Sequence, residues 1–180
     1  RGALAMLEDG LYTRFPRPDF AIAAHSSNGP AGAVTVKDGI VASASDGWEI
    51  TFRGRGGHGS MPSQTIDPAV IAARFVTDVQ SVVARERPEH AFGVITIGSF
   101  QAGTAANIIP ETATLRLSLR AFDPAVRSLL NDGMARVARA SAAMAGAPEP
   151  VLTRLSGGAP LVNDSALVAR AMTSPVGRRS

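Results

Sequence analysis

The chain has 180 residues, of which 45% are hydrophobic and 18% charged, and its lack of cysteine excludes disulfide bonds and thiolate metal sites within it. The formal net charge is +3, but the arginines are scattered among acidic residues and Lys37 is the only lysine, a distribution that argues against a nucleic-acid partner. No apolar run reaches the length of a membrane span and no signal-peptide pattern opens the sequence, so we expect a cytoplasmic protein with no membrane partner.

The first 44 residues predict one helix and one strand. Apolar residues recur at helical spacing over Ala3–Phe15, and prolines follow. The short apolar run Phe20–Ala24 is typical of a buried strand, and it ends at His25. A histidine after a buried strand occupies a place where α/β sheets position site residues, although a lone histidine there is more often structural. Because one helix and one strand cannot close a core, we interpret residues 1–44 as a fragment of a larger domain.

From Asp46 onward the pattern becomes regular and predicts four strands and two helices in the order β-α-β-β-α-β. Alternating apolar residues mark the strands, and an Asp-Pro pair begins each helix as an N-cap followed by proline. This order predicts an α+β, ferredoxin-like fold with a four-stranded antiparallel sheet and both helices on one face. The predicted elements are strands at 48–52, 92–100, 113–119 and 150–155, and helices at 68–85 and 124–146.

A glycine-rich loop follows the first of these strands and places His58 among four glycines, within Gly54–Pro62. Glycine permits a positive φ and lets another chain segment approach closely. A histidine on such a loop is exposed, and it can donate a hydrogen bond or accept a proton near neutral pH. A plain glycine-rich turn with an exposed histidine remains the alternative interpretation.

Two long strings, GRGGHGSMPSQTIDP and GVITIGSFQAGTAANIIPETATLRLSLRAFD, resemble the lid or dimerisation domain of the two-metal amidohydrolases. This metallopeptidase-like family includes hippurate hydrolase, indole-acetyl-amino-acid hydrolase and other N-acyl amino acid amidohydrolases (aminoacylases). The stretch GALAMLEDGLYTRFPRPDFAIAAH and the later string GAPLVND are similar to parts of the family's catalytic domain. The GGHGS loop, the NIIP loop and the R-x-F-D strand end occur in the family's order, and that combination is specific.

The resemblance implies a hydrolase with two divalent metal ions, zinc or manganese, that activate water beside a general-base glutamate. It assigns His25 as a metal ligand and His58 as the lid histidine that enters the neighbouring subunit's site. It also implies that Asn107 and Arg120 bind the substrate, an N-acyl amino acid, and that the protein is a homodimer. The glutamate and further ligands of the family have no counterpart here, so we expect this chain by itself to be inactive and to bind no catalytic metal.

The predicted organisation is therefore a catalytic-domain fragment at 1–44, a lid domain at 45–155 and a return into the catalytic domain at 156–180. A second hypothesis is a non-catalytic ferredoxin-like module that dimerises or binds a small regulatory molecule. Such a module has no need for His58 on a glycine loop or for the catalytic-domain-like N-terminal segment. Those two features favour the amidohydrolase.

Overall fold

The computed structural model describes residues 2–26 and 28–173. The contacts within the chain divide it into a first unit that covers residues 1–35 and a second unit that begins at Val36. Residues 174–180, which belong to the predicted return into the catalytic domain, lie outside the described residues. The predicted boundaries at 44/45 and 155/156 stay predictions.

The first unit contains two short helices and no strand among its described residues. Helices α1 (Gly2–Glu8) and α2 (Leu11–Arg14) are separated by Gly10, whose φ of 83° interrupts the single helix that the sequence predicts. The predicted strand Phe20–Ala24 is wrong, because the segment is irregular and Ile22 is 81% exposed. A buried strand requires a core to cover it, and this unit has no buried residue in its described part.

The second unit is built on a four-stranded antiparallel sheet, which confirms the predicted ferredoxin-like α+β fold. Its strands lie in the order β4-β6-β2-β7, so the central pair is β6 and β2. Their register places Ile50 opposite Leu115 and Phe52 opposite Ala113, all fully buried on one face. The strands are β2 (Ala44–Arg53), β4 (Gly93–Ala102), β6 (Thr112–Ala121) and β7 (Val151–Gly158).

Two helices cover the apolar face of this sheet, namely α3 (Pro68–Asp78), which continues in a π-helical turn at Val82–Glu86, and α4 (Pro124–Met144). Each begins as predicted. The Asp67 carboxylate accepts hydrogen bonds from two backbone N–H groups of the first turn of α3, and the Asp123 carboxylate does the same in α4. The core between helices and sheet includes Phe52, Ile71, Phe75, Leu115, Leu119, Leu130 and Met134.

Four short strands and a C-terminal helix complete the described part of the unit. Strands β1 (Gly39–Ala42) and β8 (Leu161–Asn163) pair with each other in antiparallel fashion, just before β2 and just after β7. Strands β3 (Gly57–His58) and β5 (Ile108–Ile109) form a second small ribbon, and helix α5 (Ser165–Thr173) follows β8. In the described part of the chain, no helix is long and apolar enough to cross a membrane.

Candidate functional site

The loop that carries His58 is tied down by backbone hydrogen bonds on two sides. On one side Arg55 exchanges hydrogen bonds with Ile66, at N···O distances of 2.9 and 3.0 Å. On the other side His58 lies opposite Ile108, and the Gly59 amide donates to the Asn107 carbonyl at 2.8 Å. The loop is therefore a fixed support, and it presents an exposed His58 side chain at one end of the sheet.

The glycines of this loop serve close approach rather than unusual backbone angles. None of the four has a positive φ. A Cβ on Gly54 would lie 2.0 Å from the Ile66 carbonyl oxygen, and one on Gly56 would lie 2.8 Å from the Ile109 carbonyl oxygen. These glycines let β3 lie between its two neighbouring segments, and that placement fixes the position of His58.

The imidazole of His58 contacts its own loop through one nitrogen only among the described residues. Its Nδ1 lies 2.8 Å from the Ser60 Oγ and 3.2 Å from the Ser60 backbone nitrogen. No described residue hydrogen-bonds the Nε2 atom, so this edge of the ring is available to another molecule. An open hollow of about 500 Å³ adjoins the loop and is lined by Gly59, Asp67, Ala69 and residues 102–106 and 108–110.

Of the other residues implied to bind substrate, the structure brings one beside His58 and separates the second. Asn107 is exposed and directly neighbours Gly59. Arg120 is also exposed but lies near the far end of β6, about 26 Å along the strand from Thr112 at a rise of about 3.3 Å per residue. The loop of His58 starts at the Thr112 end of β6, where the Gly54 amide donates to the Glu111 carbonyl at 2.9 Å, so His58 and Arg120 of the same subunit lie toward opposite ends of that strand.

His25, the implied metal ligand, lies in the first unit and is exposed. The predicted position at the end of a buried strand is wrong, since no strand precedes it. Its Nδ1 is 2.6 Å from the Ser26 carbonyl oxygen. A carbonyl only accepts, so Nδ1 carries a proton, and in the neutral ring the lone pair is then on Nε2. That is the form in which histidine binds a metal, with its other nitrogen oriented by a backbone carbonyl.

The described residues contain no group of three His, Asp or Glu side chains that could hold a metal ion. His25 fits the donor chemistry of a metal site as a single ligand. A catalytic zinc site takes three protein ligands, so the remaining ligands would have to come from residues other than those described here.

A second polar cluster, centred on Asp46, was missed by the sequence analysis. Asp46 is 1% exposed and accepts a bidentate pair of hydrogen bonds from Arg127, both at 2.7 Å. It also accepts from Asn131 at 3.1 Å and from Arg154. The Trp48 indole N–H donates to the Asn131 side-chain oxygen at 2.8 Å. The cluster fastens the strands β2 and β7 to helix α4.

The electrostatics of this cluster follow from its geometry. The hydrogen bonds from the Arg127 guanidinium hold the pKa of the Asp46 carboxyl well below its ordinary value, against the opposing effect of burial, with further help from Asn131 and Arg154. The same contact raises the pKa of Arg127. Asp46 is therefore a charged structural anchor, and nothing about it suggests acid–base chemistry near neutral pH.

Fold and site together define an α+β domain that displays a histidine on an anchored glycine loop. The family model of the peptidase dimerisation domain matches residues 43–145, more than half of the chain. The chain belongs to the M20 peptidase dimerisation-domain family.

Relatives of this chain are hydrolases. It is 38% identical over 141 residues to hippurate hydrolase of Campylobacter jejuni, which covers 77% of this chain and 36% of that protein. It is 36% identical over 118 residues to N-acetylcysteine deacetylase of Bacillus subtilis, covering 66% of this chain and 31% of that protein. The chain thus spans about a third of the length of these relatives.

Solved structures share the fold. One is a dinuclear metal-binding peptidase of the M20 family from Bacillus subtilis, with a TM-score of 0.56 and 26% identity over 76% of this chain and 32% of that one. Another is an amidase of the hydantoinase/carbamoylase family from Burkholderia vietnamiensis, with a TM-score of 0.64 and 29% identity over 72% of this chain and 32% of that one.

Proposed function

We propose that this chain is the lid and dimerisation part of a metal-dependent amidohydrolase that cleaves the amide bond of N-acyl amino acids or small peptides. The observation that carries the proposal is the exposed His58 imidazole on its hydrogen-bonded loop, beside Asn107, on the fold of an M20 dimerisation domain. The similarity to hippurate hydrolase and N-acetylcysteine deacetylase supports amide substrates of the N-acyl amino acid class.

In this proposal His58 donates a hydrogen bond from Nε2 to the carbonyl oxygen of the scissile amide as negative charge develops there. A donor held in place before the reaction stabilises that charge without reorganisation during the step. The backbone contacts of the loop supply this preorganisation, since they fix the strand on both sides of His58. Asn107, one residue before Ile108, would contact the same part of the substrate.

Arg120 completes the proposed site from the other subunit. Its planar guanidinium suits a substrate carboxylate, because its paired donors match two oxygen atoms. Arg120 and the loop of His58 lie toward opposite ends of β6, about 26 Å apart along the strand, which favours a site in which different subunits supply the two side chains. In a symmetric dimer, each active site would combine Arg120 of one subunit with His58 of the other.

The two edge strands of the sheet support dimerisation. Strands β4 and β7 lie at the edges, where backbone N–H and C=O groups lack a neighbouring strand in the described chain. Exposed apolar side chains lie on both, including Phe100 at 45% and Leu155 at 49% exposure. An isologous contact between two copies is the commonest way to bury such an edge.

The metal ions would polarise the substrate carbonyl and lower the pKa of a bound water. Of the described residues His25 would be a ligand, through its Nε2 atom. Zinc, manganese and a cytoplasmic location stay predictions.

The test is an assay of the full-length protein that this proposal requires, with added divalent metal and a panel of N-acyl amino acids. We expect hydrolysis, and a loss of about 10²- to 10³-fold in turnover for His58→Ala with unchanged folding and metal content. A regulatory module would instead bind a small molecule without hydrolysing any member of the panel. Full activity of His58→Ala would show that this histidine has no part in the reaction.

A further inference from the structure

The contacts of His58 fix which of its two nitrogens carries the proton. The Ser60 backbone N–H points at Nδ1 from 3.2 Å, and a backbone amide can only donate. Nδ1 must therefore present its lone pair. The Ser60 hydroxyl, at 2.8 Å from the same atom, can rotate its proton toward that lone pair and adds a second donor.

We propose that Ser60 is a positioning residue that holds His58 in the tautomer with the proton on Nε2. In that tautomer the free edge of the ring is a hydrogen-bond donor, which is the form that can bind a developing oxyanion. The opposite tautomer would present a lone pair to the oxyanion and repel it. The catalytic part of this inference rests on the proposed role of His58, whereas the tautomer itself does not.

His25 shows that the assignment follows from local chemistry rather than from a general preference of the chain. Its Nδ1 faces a carbonyl oxygen at 2.6 Å and must donate, so its ring has the opposite tautomer from His58. In their neutral forms the two histidines thus have opposite tautomers, set by the adjacent Ser26 carbonyl at His25 and by Ser60, two residues on, at His58. The one that would bind a metal has a lone pair on Nε2, and the one that would bind an oxyanion has a proton there.

The tautomer can be measured directly on the chain itself by nitrogen-15 NMR of the imidazole rings. The spectra are recorded at a pH well above the ordinary histidine pKa of about 6.5, and exposed His90 serves as the internal reference for an unrestrained mixture of the two neutral tautomers. We expect His58 to be entirely in the Nε2–H form. Ser60→Ala removes the hydroxyl donor but keeps the backbone N–H donor, so it should move the His58 resonances part of the way toward those of His90. Ser60→Thr, which keeps the hydroxyl, should leave them at the wild-type position.

The inference is wrong if His58 in the wild type already matches the mixture at His90, if it shows an Nδ1 proton, or if Ser60→Ala changes nothing. A circular dichroism spectrum of each variant checks that the fold is retained. Because Ser60 is exposed and Ser60→Ala removes only a hydroxyl, the substitution leaves the backbone pairing of the loop in place.

The kinetic consequence is tested in the full-length protein. Ser60→Ala should lower kcat by roughly two- to tenfold, the range expected for one hydrogen bond, with KM nearly unchanged and with recovery in Ser60→Thr. In a His58→Ala background Ser60→Ala should cost nothing further. An equal loss in both backgrounds would show that Ser60 does not act through His58. If His58→Ala itself keeps full activity, the proposed function of His58 fails, and the NMR result still decides the tautomer.

Discussion

Replacing Asp46 by alanine should destabilise the second unit by about 3 kcal/mol, near the lower end of the range of about 3 to 5 kcal/mol for breaking a buried ion pair. The side chain is almost fully buried and accepts hydrogen bonds from three residues. Its removal leaves the Arg127 guanidinium without a partner in a site where that side chain is only 26% exposed. Arg154 is 51% exposed and recovers solvation, which keeps the loss at the lower end.

The assay is equilibrium unfolding in urea at pH 7, followed by tryptophan fluorescence at a fixed protein concentration. Trp48 is the only tryptophan and hydrogen-bonds Asn131, a member of the same cluster, so its signal reports on this region. A fixed concentration is needed because dimerisation would contribute to the apparent stability.

Arg116→Ala is the matched control. Arg116 also pairs with a carboxylate, that of Glu49, but its side chain is 66% exposed, so the substitution should cost well under about 1 kcal/mol. If Asp46→Ala and Arg116→Ala have the same small effect on the free energy of unfolding, Asp46 is not a structural anchor of this unit.

Three further predictions concern the chain itself. Folding lowers the pKa of Asp46, so in acid the unfolded state binds more protons than the folded state, and the free energy of unfolding should decrease below about pH 4. Asp46→Asn should weaken this pH dependence when unfolding is measured across the acid range. Gly54→Ala should lower the free energy of unfolding by about 1 to 3 kcal/mol, since the added Cβ would overlap the Ile66 carbonyl. Gly98→Ala is the control, because a Cβ there meets nothing within 4 Å, and denaturation curves of the two variants measure the difference. Light scattering should give the mass of a dimer, and a monomer mass at all micromolar concentrations would contradict the edge-strand argument.

The fold of the second unit could be predicted because its signals are local. Alternation at Trp48, Ile50 and Phe52 marks a strand with one buried face, and the Asp-Pro pairs mark the helix starts that the structure confirms. The run Phe20–Ala24 shows the limit of such reasoning. A short apolar run predicts a strand only where other elements cover it, and its own unit offers none in the described residues.

Long-range pairing was beyond the sequence pattern. The β1–β8 ribbon joins segments that are more than a hundred residues apart, and neither has a strong periodicity of its own. In the sequence Asp46 marks only the point where the regular pattern begins, while its partners Arg127 and Arg154 are 81 and 108 positions away. Only the folded sheet and helix bring these charges together.

The exposure of His58 could be predicted from the glycine-rich sequence of its loop, and the structure confirms it. Of the two properties of glycine that the sequence suggested, positive φ and close approach of another segment, only the second is found. The glycines are required for close approach to Ile66 and Ile109, and none adopts a positive φ. The contact between Ser60 and the Nδ1 atom of His58 depends on a turn geometry that residue spacing does not specify.

The central claim, that His58 acts across the interface of a dimeric metal-dependent amidohydrolase, is tested most directly by mixing two inactive variants of the full-length protein. A His58→Ala subunit keeps the implied metal ligand His25, and a His25→Ala subunit keeps the lid histidine. With complete subunit exchange, half of the dimers are mixed and each has one complete site, so about a quarter of the wild-type activity should return. If exchange is demonstrated and no activity returns, His58 does not act in the neighbouring subunit.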